Sequence, residues 1–541
     1  MLTFYLWSLV SSKISSTSIM EMVLLLIILF PITLLLFFFS LFFLFKNSSN
    51  NANNLPPGPP PFPIIGNLFQ LGSKPHSTLA QLSQTYGPLF SLKFGSQLVV
   101  VASSPRAASE VLKTHDNVLS GRYIIYNARS KNYVEHSMVW APECTEEWKN
   151  LRKICRTKLF SSRAIEGHAR ILREGKVEEM MVLLREKEGE LVKVSEVVFG
   201  TIFNVLGCLI FSKDVFDHVR GDEEVRDLKG HLCRMLELGS AISLADCFPL
   251  LGWMTWGRKV SQECRRNVFA SWRDIIKERR ESLSRSSSGA MVGHGSSSCD
   301  DDKEDDFLTS LIKAGFNNDQ INALLLEIFG AAADTTTSTI EWAMVEILKN
   351  PRVLHKLRSE LAERLNPKSE NKTNNVHKMA LKEADLPHLP YLQAITKETL
   401  RLHPATPLLL PRRALQTCKV MGYTIPKDCQ ILVNAWAIGR DPKTWEDALA
   451  FFPERFLESQ VDYRGNGNFE LVPFGGGRRI CPGVPLASQL IPLIVGSMIW
   501  NFDWGLPHGM SLHELSSEEK FGLTLQKDPP LVLIHGTQKI D

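Results

Sequence analysis

The apolar positions of this chain follow two patterns, one confined to the N-terminal region and one repeated through the body. Residues 23–45 carry no charged side chain, and only Pro31, Thr33 and Ser40 interrupt the apolar run. A helix of that length spans about 35 Å, which exceeds the hydrocarbon core of a bilayer at about 30 Å. Since a cleaved secretory signal has a shorter apolar stretch and a small-residue cleavage site, the run predicts a retained transmembrane anchor behind an N-terminal tail over residues 1–22.

The next segment, residues 46–63, is a linker with two halves of different composition. The first half is rich in asparagine, and the second half has proline at positions 56, 57, 59, 60, 61 and 63. Proline fixes φ and removes a backbone donor, so the second half is stiff and extended. We therefore expect a flexible tether and a rigid hinge between the anchor and a globular body over residues 64–541.

The body alternates long helical stretches with short clusters of β-forming residues. Residues 317–350 contain no proline and would form a helix of about 50 Å. Apolar clusters on either side of Gly95 predict a hairpin, and residues 420–425 and 431–433 predict short strands. Residues 281–306 are rich in Ser, Gly and Asp, which predicts a disordered surface loop. The expected fold class is mainly α with a small β-sheet subdomain.

Composition and charge restrict the possible functions. The chain has 541 residues, and its 61 Lys and Arg against 58 Asp and Glu leave a net charge of +3, without the basic excess of a nucleic-acid-binding protein. Hydrophobic residues at 44% are sufficient for a large core, which excludes disorder over most of the chain. Ten cysteines without a CxxC pair indicate neither a disulfide scaffold nor a zinc framework.

The strongest chemical signal is a loop over residues 473–483. Three consecutive glycines allow the backbone to approach a flat partner closely, and Arg478 and Arg479 offer positive charge to anionic groups. Cys481 then precedes Pro482 and an apolar stretch that predicts a helix. A thiolate at the N-terminus of a helix is stabilised by the helix dipole and by free N–H groups.

This loop resembles the haem-binding loop of the cytochromes P450, FxxGxRxCxG. The five fixed positions are matched here by Phe474, Gly477, Arg479, Cys481 and Gly483. The resemblance implies a cytochrome P450 fold with an N-terminal transmembrane helix, in which haem b is bound and Cys481 is the axial thiolate of its iron. A lone cysteine would more often be an ordinary core residue.

Two further pairs match the family at the expected places. Glu398 and Arg401 match its ExxR motif, and Arg455 follows within a PERF segment, so the resemblance implies a buried structural network behind the cysteine loop. Trp148 and Arg152, four residues apart on a predicted helix, match the family's haem-propionate pair, which acts together with the arginine of the cysteine loop. Alone, these residues would suit a solvated surface bridge and a plain amphipathic helix.

The proline-free helix carries a third motif. Residues 331–336, Ala-Ala-Ala-Asp-Thr-Thr, resemble the family's oxygen-activation motif, which implies that Asp334 and Thr335 are catalytic and relay protons. The alternative is a capped or kinked helix turn. Ala332 stands where glycine is usual in the family, and its methyl group would crowd the oxygen side of the haem and disfavour a helix distortion.

Other segments resemble a plant microsomal clan that holds the N-methylcoclaurine-hydroxylase-like and geraniol-hydroxylase-like families. The implied function is a membrane-anchored monooxygenase that oxidises a hydrophobic plant specialised metabolite, either an alkaloid such as a benzylisoquinoline or a terpenoid. Oxidative phenol coupling or rearrangement without oxygen insertion is the alternative, and a tethered binding protein without catalysis is a third. The segments that carry this resemblance are residues 55–67, 140–145, 339–342 and 519–527.

The resemblance also implies partners, a location and a substrate pocket. The chain has no nucleotide-binding glycine motif, so electrons would come from NADPH through a cytochrome P450 reductase. Lys149, Lys153 and Arg156 share one helix face and would form its docking stripe. The location would be the endoplasmic reticulum membrane, with a single pass and a cytosolic catalytic domain. The family positions predict pocket-lining segments at residues 120–134, 236–248, 405–410 and 521–525.

Overall fold

The computed structural model describes most of the body and part of the predicted anchor. The described residues are 27, 29–34, 54–215, 223–240, 243–254, 256–289, 305–365, 380–463, 467, 469–507 and 509–537. Within the anchor, residues 27 and 29–34 are helical, and large apolar side chains such as Phe30, at 68% exposure, project from this helix. The other residues of the predicted anchor, and the tail over 1–22, lie outside the described part.

Helices make up most of the described body. In chain order they are α1 Pro75–Tyr86, α2 Pro105–Ser109, α3 Asp116–Leu119, α4 Lys131–Glu135, α5 Glu146–Lys158, α6 Ser162–Ile165, α7 His168–Glu186, α8 Val194–Phe211, α9 Glu223–Ser240, α10 Leu244–Cys247, α11 Gly257–Gly289, α12 Phe307–Lys313, α13 Asn318–Lys349, α14 Pro351–Leu365, α15 Pro390–Leu402, α16 Ala435–Ile438 and α17 Val484–Asn501.

The strands are short and form small sheets. They are β1 Leu89–Phe94, β2 Gln97–Ala102, β3 Gly121–Arg122, β4 Leu191–Lys193, β5 Arg412–Arg413, β6 Cys418–Val420, β7 Tyr423–Ile425, β8 Gln430–Val433, β9 Phe502–Gly505, β10 Glu519–Lys520, β11 Gln526–Lys527 and β12 Val532–Thr537. The largest sheet has the order β1-β2-β8-β5-β3, a second has β4-β12-β9, and β6-β7 and β10-β11 form hairpin-like pairs. The mainly α body with small sheets agrees with the sequence-based expectation.

Helix α13 is the central element of the core. It begins at a capping box, in which Asn317 and Gln320 satisfy each other's backbone N–H groups, and it ends just before Pro351. Most of its side chains are buried, which is why its sequence is apolar around the centre rather than amphipathic. Its 32 residues would span about 48 Å, so the helix carries the predicted oxygen motif into the middle of the fold.

The predicted hairpin around Gly95 is confirmed, with β1 antiparallel to β2. The second predicted strand region is different, because residues 420–425 do not form one strand. Met421 and Gly422 have φ values of +51° and +86° and turn the chain between β6 and β7. Glycine accepts such a conformation readily and methionine rarely does, so the turn signal in these two residues is weak.

The predicted loop over residues 281–306 begins too early. Helix α11 continues to Gly289, so the first nine residues of that range are helical, since serines do not prevent a helix that is already nucleated. Residues 305 and 306 precede α12, where the Asp306 side chain caps the helix, and residues 290–304 lie outside the described part.

Helices α8 and α17 are long and apolar enough to cross a membrane by length and composition. In each, 78% of the apolar window is buried inside the fold, so both are core helices of the body.

Candidate active site

Cys481 lies in the glycine-rich loop directly before α17. Its N–H donates to the carbonyl oxygen of Phe474 at 3.0 Å, which closes the loop. Burial raises the pKa of the Cys481 thiol, while the N–H groups of Gly483 and Val484 and the charge of Arg152 oppose that rise. Although protein surrounds the loop, the cysteine side chain is open to an internal cavity.

The glycines of this loop are required by its backbone and by its neighbours. Gly475 and Gly477 have φ values of +71° and +66°, a region that favours glycine. A Cβ on Gly477 would lie 2.2 Å from the carbonyl oxygen of Leu112 and 2.5 Å from Oδ1 of Asp116. Asp116 in turn accepts a hydrogen bond of 3.0 Å from the N–H of Arg478. A side chain at position 477 would therefore displace the loop from the body.

The space in front of the sulfur, called here the cysteine cavity, lies between this loop and α13. Its lining is mainly apolar and comes from the cysteine loop, the N-terminal half of α17, residues 400–410 and one face of α13. The α13 residues on that face are Glu327, Ile328, Ala331, Ala332, Thr335, Thr336 and Thr339.

Four buried or partly buried arginines border the cysteine cavity: Arg122, Arg152, Arg412 and Arg479. Nη1 of Arg412 lies 3.0 Å from the carboxylate of Asp116, whereas no carboxylate among the described residues pairs with the other three. Burial, and then repulsion from Arg479 and Arg412, lowers the pKa of Arg122 well below its usual range. The cavity therefore has an excess of positive charge that its own carboxylates do not balance.

Trp148 fixes two of these arginines on the cavity wall. The guanidinium carbons of Arg479 and Arg152 lie 4.7 and 5.4 Å from the centre of its ring. The Trp148 Nε1–H donates to the carbonyl oxygen of Met138 at 2.8 Å. Nη2 of Arg479 donates to the carbonyl oxygen of Ala141 at 2.7 Å, and burial lowers the pKa of Arg479 to about 10. The structure thus brings together the three residues that the motif placed beside the haem carboxylates.

The two residues of the oxygen motif point to different surroundings. Thr335 lines the cysteine cavity, and its hydroxyl donates to the carbonyl oxygen of Ala331 at 2.6 Å, one turn earlier. Asp334 is buried but is not among the cavity-lining residues. Its Oδ1 accepts a hydrogen bond of 2.9 Å from Nε2 of Gln526. Burial raises the pKa of Asp334.

Glu398, Arg401 and Arg455 form a network away from the cavity. The Glu398 carboxylate is bidentate to Arg401, with both oxygens 2.7 Å from guanidinium nitrogens, and Arg455 Nε lies 3.1 Å away. Arg401 also donates to the carbonyl oxygens of Ala448 and Ala450. Glu398 and Arg401 are both fully buried, so the network joins α15 to the segment that precedes the cysteine loop.

Glu327 is a buried carboxylate that the motif comparison missed. It accepts hydrogen bonds from the Tyr133 hydroxyl at 3.1 Å and from the N–H groups of Met138 and Val139 at 2.8 and 3.1 Å, and from Ser137. Burial raises its pKa to about 7. The carboxylate therefore holds the segment over residues 133–139 against α13. An acidic residue within an apolar stretch was the available signal.

A second space, called here the distal cavity, shares six lining residues with the cysteine cavity: Val139, Glu327, Ala331, Thr335, Thr406 and Leu410. Each of the four predicted pocket segments contributes to its wall. Its apolar side includes leucines of α9, whereas Arg265 brings a buried cation that the sequence did not indicate. The guanidinium carbon of Arg265 lies 4.6 Å from the centre of the Tyr133 ring.

Known proteins resemble this chain over nearly all of the body. The family described as cytochrome P450 matches residues 56–534. A probable (S)-N-methylcoclaurine 3'-hydroxylase isozyme 2 from Coptis japonica is 56% identical over 478 residues, covering 88% of this chain and 92% of that protein. Corytuberine synthase from the same plant is 45% identical over 483 residues, with 88% and 93% covered. A solved zebra fish cytochrome P450, described with progesterone, has a TM-score of 0.69 at 25% identity, with 86% and 99% covered.

Proposed function

We propose that this chain, which belongs to the cytochrome P450 family, is a haem-thiolate monooxygenase in which Cys481 is the axial ligand of the haem iron. Family membership confirms the haem cofactor, the oxidoreductase class and the fold that the cysteine-loop motif indicated. When bound, the haem supplies dioxygen activation and one-electron chemistry.

The residues present in the structure fit haem. The cysteine cavity offers one accessible thiol, a largely apolar lining and a loop whose glycines permit close approach. Haem has an apolar ring system and two carboxylates, and the uncompensated guanidinium groups of the wall suit those carboxylates. Arg152 and Arg479, held by Trp148, would bind them, with Arg122 and Arg412 adding positive charge.

The proposed substrate is a benzylisoquinoline-type alkaloid, and the proposed reaction inserts one oxygen atom. The support is the identity to N-methylcoclaurine hydroxylases, 56% in one case, over nearly the full body. The distal cavity agrees with this class, since its wall is mostly apolar with a few polar groups that could orient a ring-bearing ligand. A terpenoid of similar size has fewer polar groups that could bind to Arg265, Tyr133 and Glu327.

Asp334 and Thr335 are proposed to deliver protons at the site of oxygen activation. Thr335 has its hydroxyl at the cavity wall, where it can hold or pass a proton. Asp334 is the neighbouring acid, and burial raises its pKa, which favours the protonated, proton-donating form more than in an exposed aspartate. Because Asp334 does not line the cavity, transfer between the two needs a water molecule or a rotation of the Asp334 side chain.

The second candidate is oxidation without oxygen insertion, by phenol coupling or rearrangement. Two observations favour it, namely the 45% identity to corytuberine synthase and the alanine at position 332. Ala332 lies on the wall of the cysteine cavity, and α13 is an uninterrupted helix through this position. Compared with glycine, the methyl group of Ala332 narrows the cysteine cavity beside α13.

Labelled dioxygen separates the two reactions. The chain is incubated in microsomes with reductase, NADPH and N-methylcoclaurine, and the product is weighed by mass spectrometry. A product that carries one labelled oxygen supports insertion and excludes the second candidate for that substrate. An unlabelled product two hydrogens lighter indicates coupling, and an unlabelled isomer indicates rearrangement. In those cases Ala332→Gly should restore some labelled product.

The proposed location is the endoplasmic reticulum membrane, with a single pass and the catalytic domain in the cytosol beside an NADPH–cytochrome P450 reductase. Besides the apolar run, exposed apolar side chains of the body support attachment: Phe62, Ile64, Leu250 and Trp256, the last two at 91% and 80% exposure. Phe62, Ile64 and Leu250 lie within three residues of segments bonded to the β1–β2 turn, since the N–H of Gly95 donates to the carbonyl oxygen of Ile65 and that of Ser96 to the carbonyl oxygen of Cys247.

Membrane attachment is tested by fractionation. A chain lacking residues 1–45 should remain partly membrane-bound, and Leu250→Ser with Trp256→Ser should release it, because about 25 cal/mol per Å² of buried apolar area is lost. A truncated chain that is wholly soluble would contradict the contribution of the body.

A further inference from the structure

The acid of the oxygen motif is held by a segment from the far end of the chain. Gln526, the first residue of β11, donates from Nε2 to Asp334 Oδ1 at 2.9 Å. Burial raises the pKa of this carboxyl, and the side chains of Thr524 and Gln526 oppose that rise. Both residues lie in the segment over residues 519–527 that resembles the plant clan, but that resemblance assigns them no contact with Asp334, and 192 sequence positions separate Gln526 from Asp334.

The segment that contains Gln526 is itself hydrogen-bonded to the body. The carbonyl oxygen of Leu525 accepts a hydrogen bond of 2.7 Å from Ser338, one turn beyond Asp334 on α13. The N–H of Leu525 donates to the carbonyl oxygen of Ala405 at 2.8 Å. Gln526 is also paired with Lys520 in the β10–β11 ladder. The backbone that carries Gln526 is therefore held in a defined position.

The same segment forms part of the wall of the distal cavity. Leu523 and Thr524 line that cavity, whereas Gln526 does not. The wall of the proposed substrate space and the donor to Asp334 therefore belong to one short segment, with Thr524 two residues before Gln526. A ligand that contacts Thr524 acts on the backbone that carries Gln526.

A buried carboxyl needs such partners. Without Gln526, the buried carboxyl of Asp334 would lose the amide that donates to Oδ1, and its side chain would be free to rotate. With Gln526 in place, one oxygen is held by the amide, and the orientation of the carboxyl relative to Thr335 is set. Lys229 and Lys520 also act on Asp334 through their charge, but at longer range.

We propose that Gln526 is a positioning residue for Asp334, and that the segment over residues 523–526 links occupancy of the distal cavity to the acid of the oxygen motif. The proposal rests on the proposed function of Asp334 in proton delivery. It assigns to residues 523–526 a role in coupling electron use to product formation, in addition to shaping the substrate space.

The test compares Gln526→Leu with wild type in the reductase-coupled holoenzyme. Gln526→Leu keeps the size of the side chain but removes the donor. We expect the dissociation constant for N-methylcoclaurine to stay within about twofold of the wild-type value, because residue 526 does not line the cavity. Product formed per NADPH should fall about tenfold, which corresponds to the free energy of about one lost hydrogen bond, and peroxide should rise. Thr524→Val alters a residue of the cavity wall and should change the dissociation constant.

A second measurement does not depend on turnover. Thermal unfolding of holoenzyme is followed for Gln526→Leu, Asp334→Asn and the double variant. Because the two residues contact each other, the double variant should unfold at the temperature of the less stable single variant, without an additive shift. Additive shifts would overturn the contact on which the proposal depends.

Ser338→Ala is the matched control, since it removes a hydrogen bond between the same segment and the same helix without touching Asp334. If it lowers product per NADPH as much as Gln526→Leu does, general packing explains the effect and the proposal is wrong. If Asp334→Asn uncouples and Gln526→Leu does not, only the positioning role fails. If Asp334→Asn is fully coupled, the proposed function of Asp334 fails.

Discussion

Replacement of Glu398 by alanine tests the buried network behind the cysteine loop. Glu398 accepts hydrogen bonds from both Arg401 and Arg455 and from the N–H of Phe452, the last at 2.8 Å. Arg401 is fully buried, and the Arg455 side chain is 10% exposed. The substitution therefore leaves two guanidinium groups in the protein interior without their counter-charge.

The expected cost follows from that burial. Removal of one partner from a buried ion pair destabilises a protein by about 3–5 kcal/mol, because the remaining charge stays desolvated. That range corresponds to a change of about 150-fold to several thousand-fold in the folding equilibrium. Arg401 retains its bonds to backbone carbonyl oxygens, including that of Ala448 at 2.6 Å, which places the expected cost within rather than above this range.

The assay is the ratio of haem-loaded to total protein after expression, together with the urea midpoint of haem loss. Glu398→Ala should give little holoprotein and Glu398→Gln an intermediate amount, since the amide keeps an acceptor. Glu146→Ala is the matched control, because Glu146 forms an exposed pair with Lys149 at 2.6 Å and should behave as wild type. Glu398→Ala protein with full haem content and a wild-type midpoint would refute the reasoning.

Two further predictions concern a surface stripe and a buried acid. Lys149, Lys153 and Arg156 are all exposed on α5, so their joint replacement by Glu should slow reduction by the reductase and weaken its salt dependence in stopped-flow measurements; unchanged rates at low salt would exclude docking there. Burial raises the pKa of Glu327 from 4.5 to about 7. Between those pH values the unfolded chain releases this proton and the folded chain keeps it, so the contribution of Glu327 to the free energy of unfolding decreases as pH rises. The gap in unfolding free energy between wild type and Glu327→Gln should therefore narrow over that range, and a gap independent of pH would contradict the assignment.

The parts of the fold and site that the sequence predicted are those set by local pattern. The helix predicted around Trp148 and Arg152 is α5, Glu146–Lys158, and it was predictable because its start has a capping threonine and its apolar side chains recur at helical spacing. The loop around Cys481 was predictable because glycines, charges and a cysteine at fixed spacing have few other uses.

The parts that it missed depend on contacts between distant segments. The partners of Asp334 lie 192 positions away in the case of Gln526, and no local periodicity reports such a contact. Arg122 and Arg412 pair strands β3 and β5, so their place on the cavity wall follows from sheet register. Residues 281–289 are helical because they continue α11, a helix already nucleated upstream, and a serine-rich composition does not report that continuation.

The central claim, ligation of haem iron by the Cys481 thiolate, is tested most directly by the spectrum of the reduced protein with carbon monoxide. The account predicts the strongly red-shifted Soret band of a thiolate ligand in the wild type, and its loss in Cys481→Ser, since a neutral hydroxyl is a poor axial donor. A wild-type spectrum of the histidine-ligated kind, or a Cys481→Ser protein that retains the wild-type band, would contradict it.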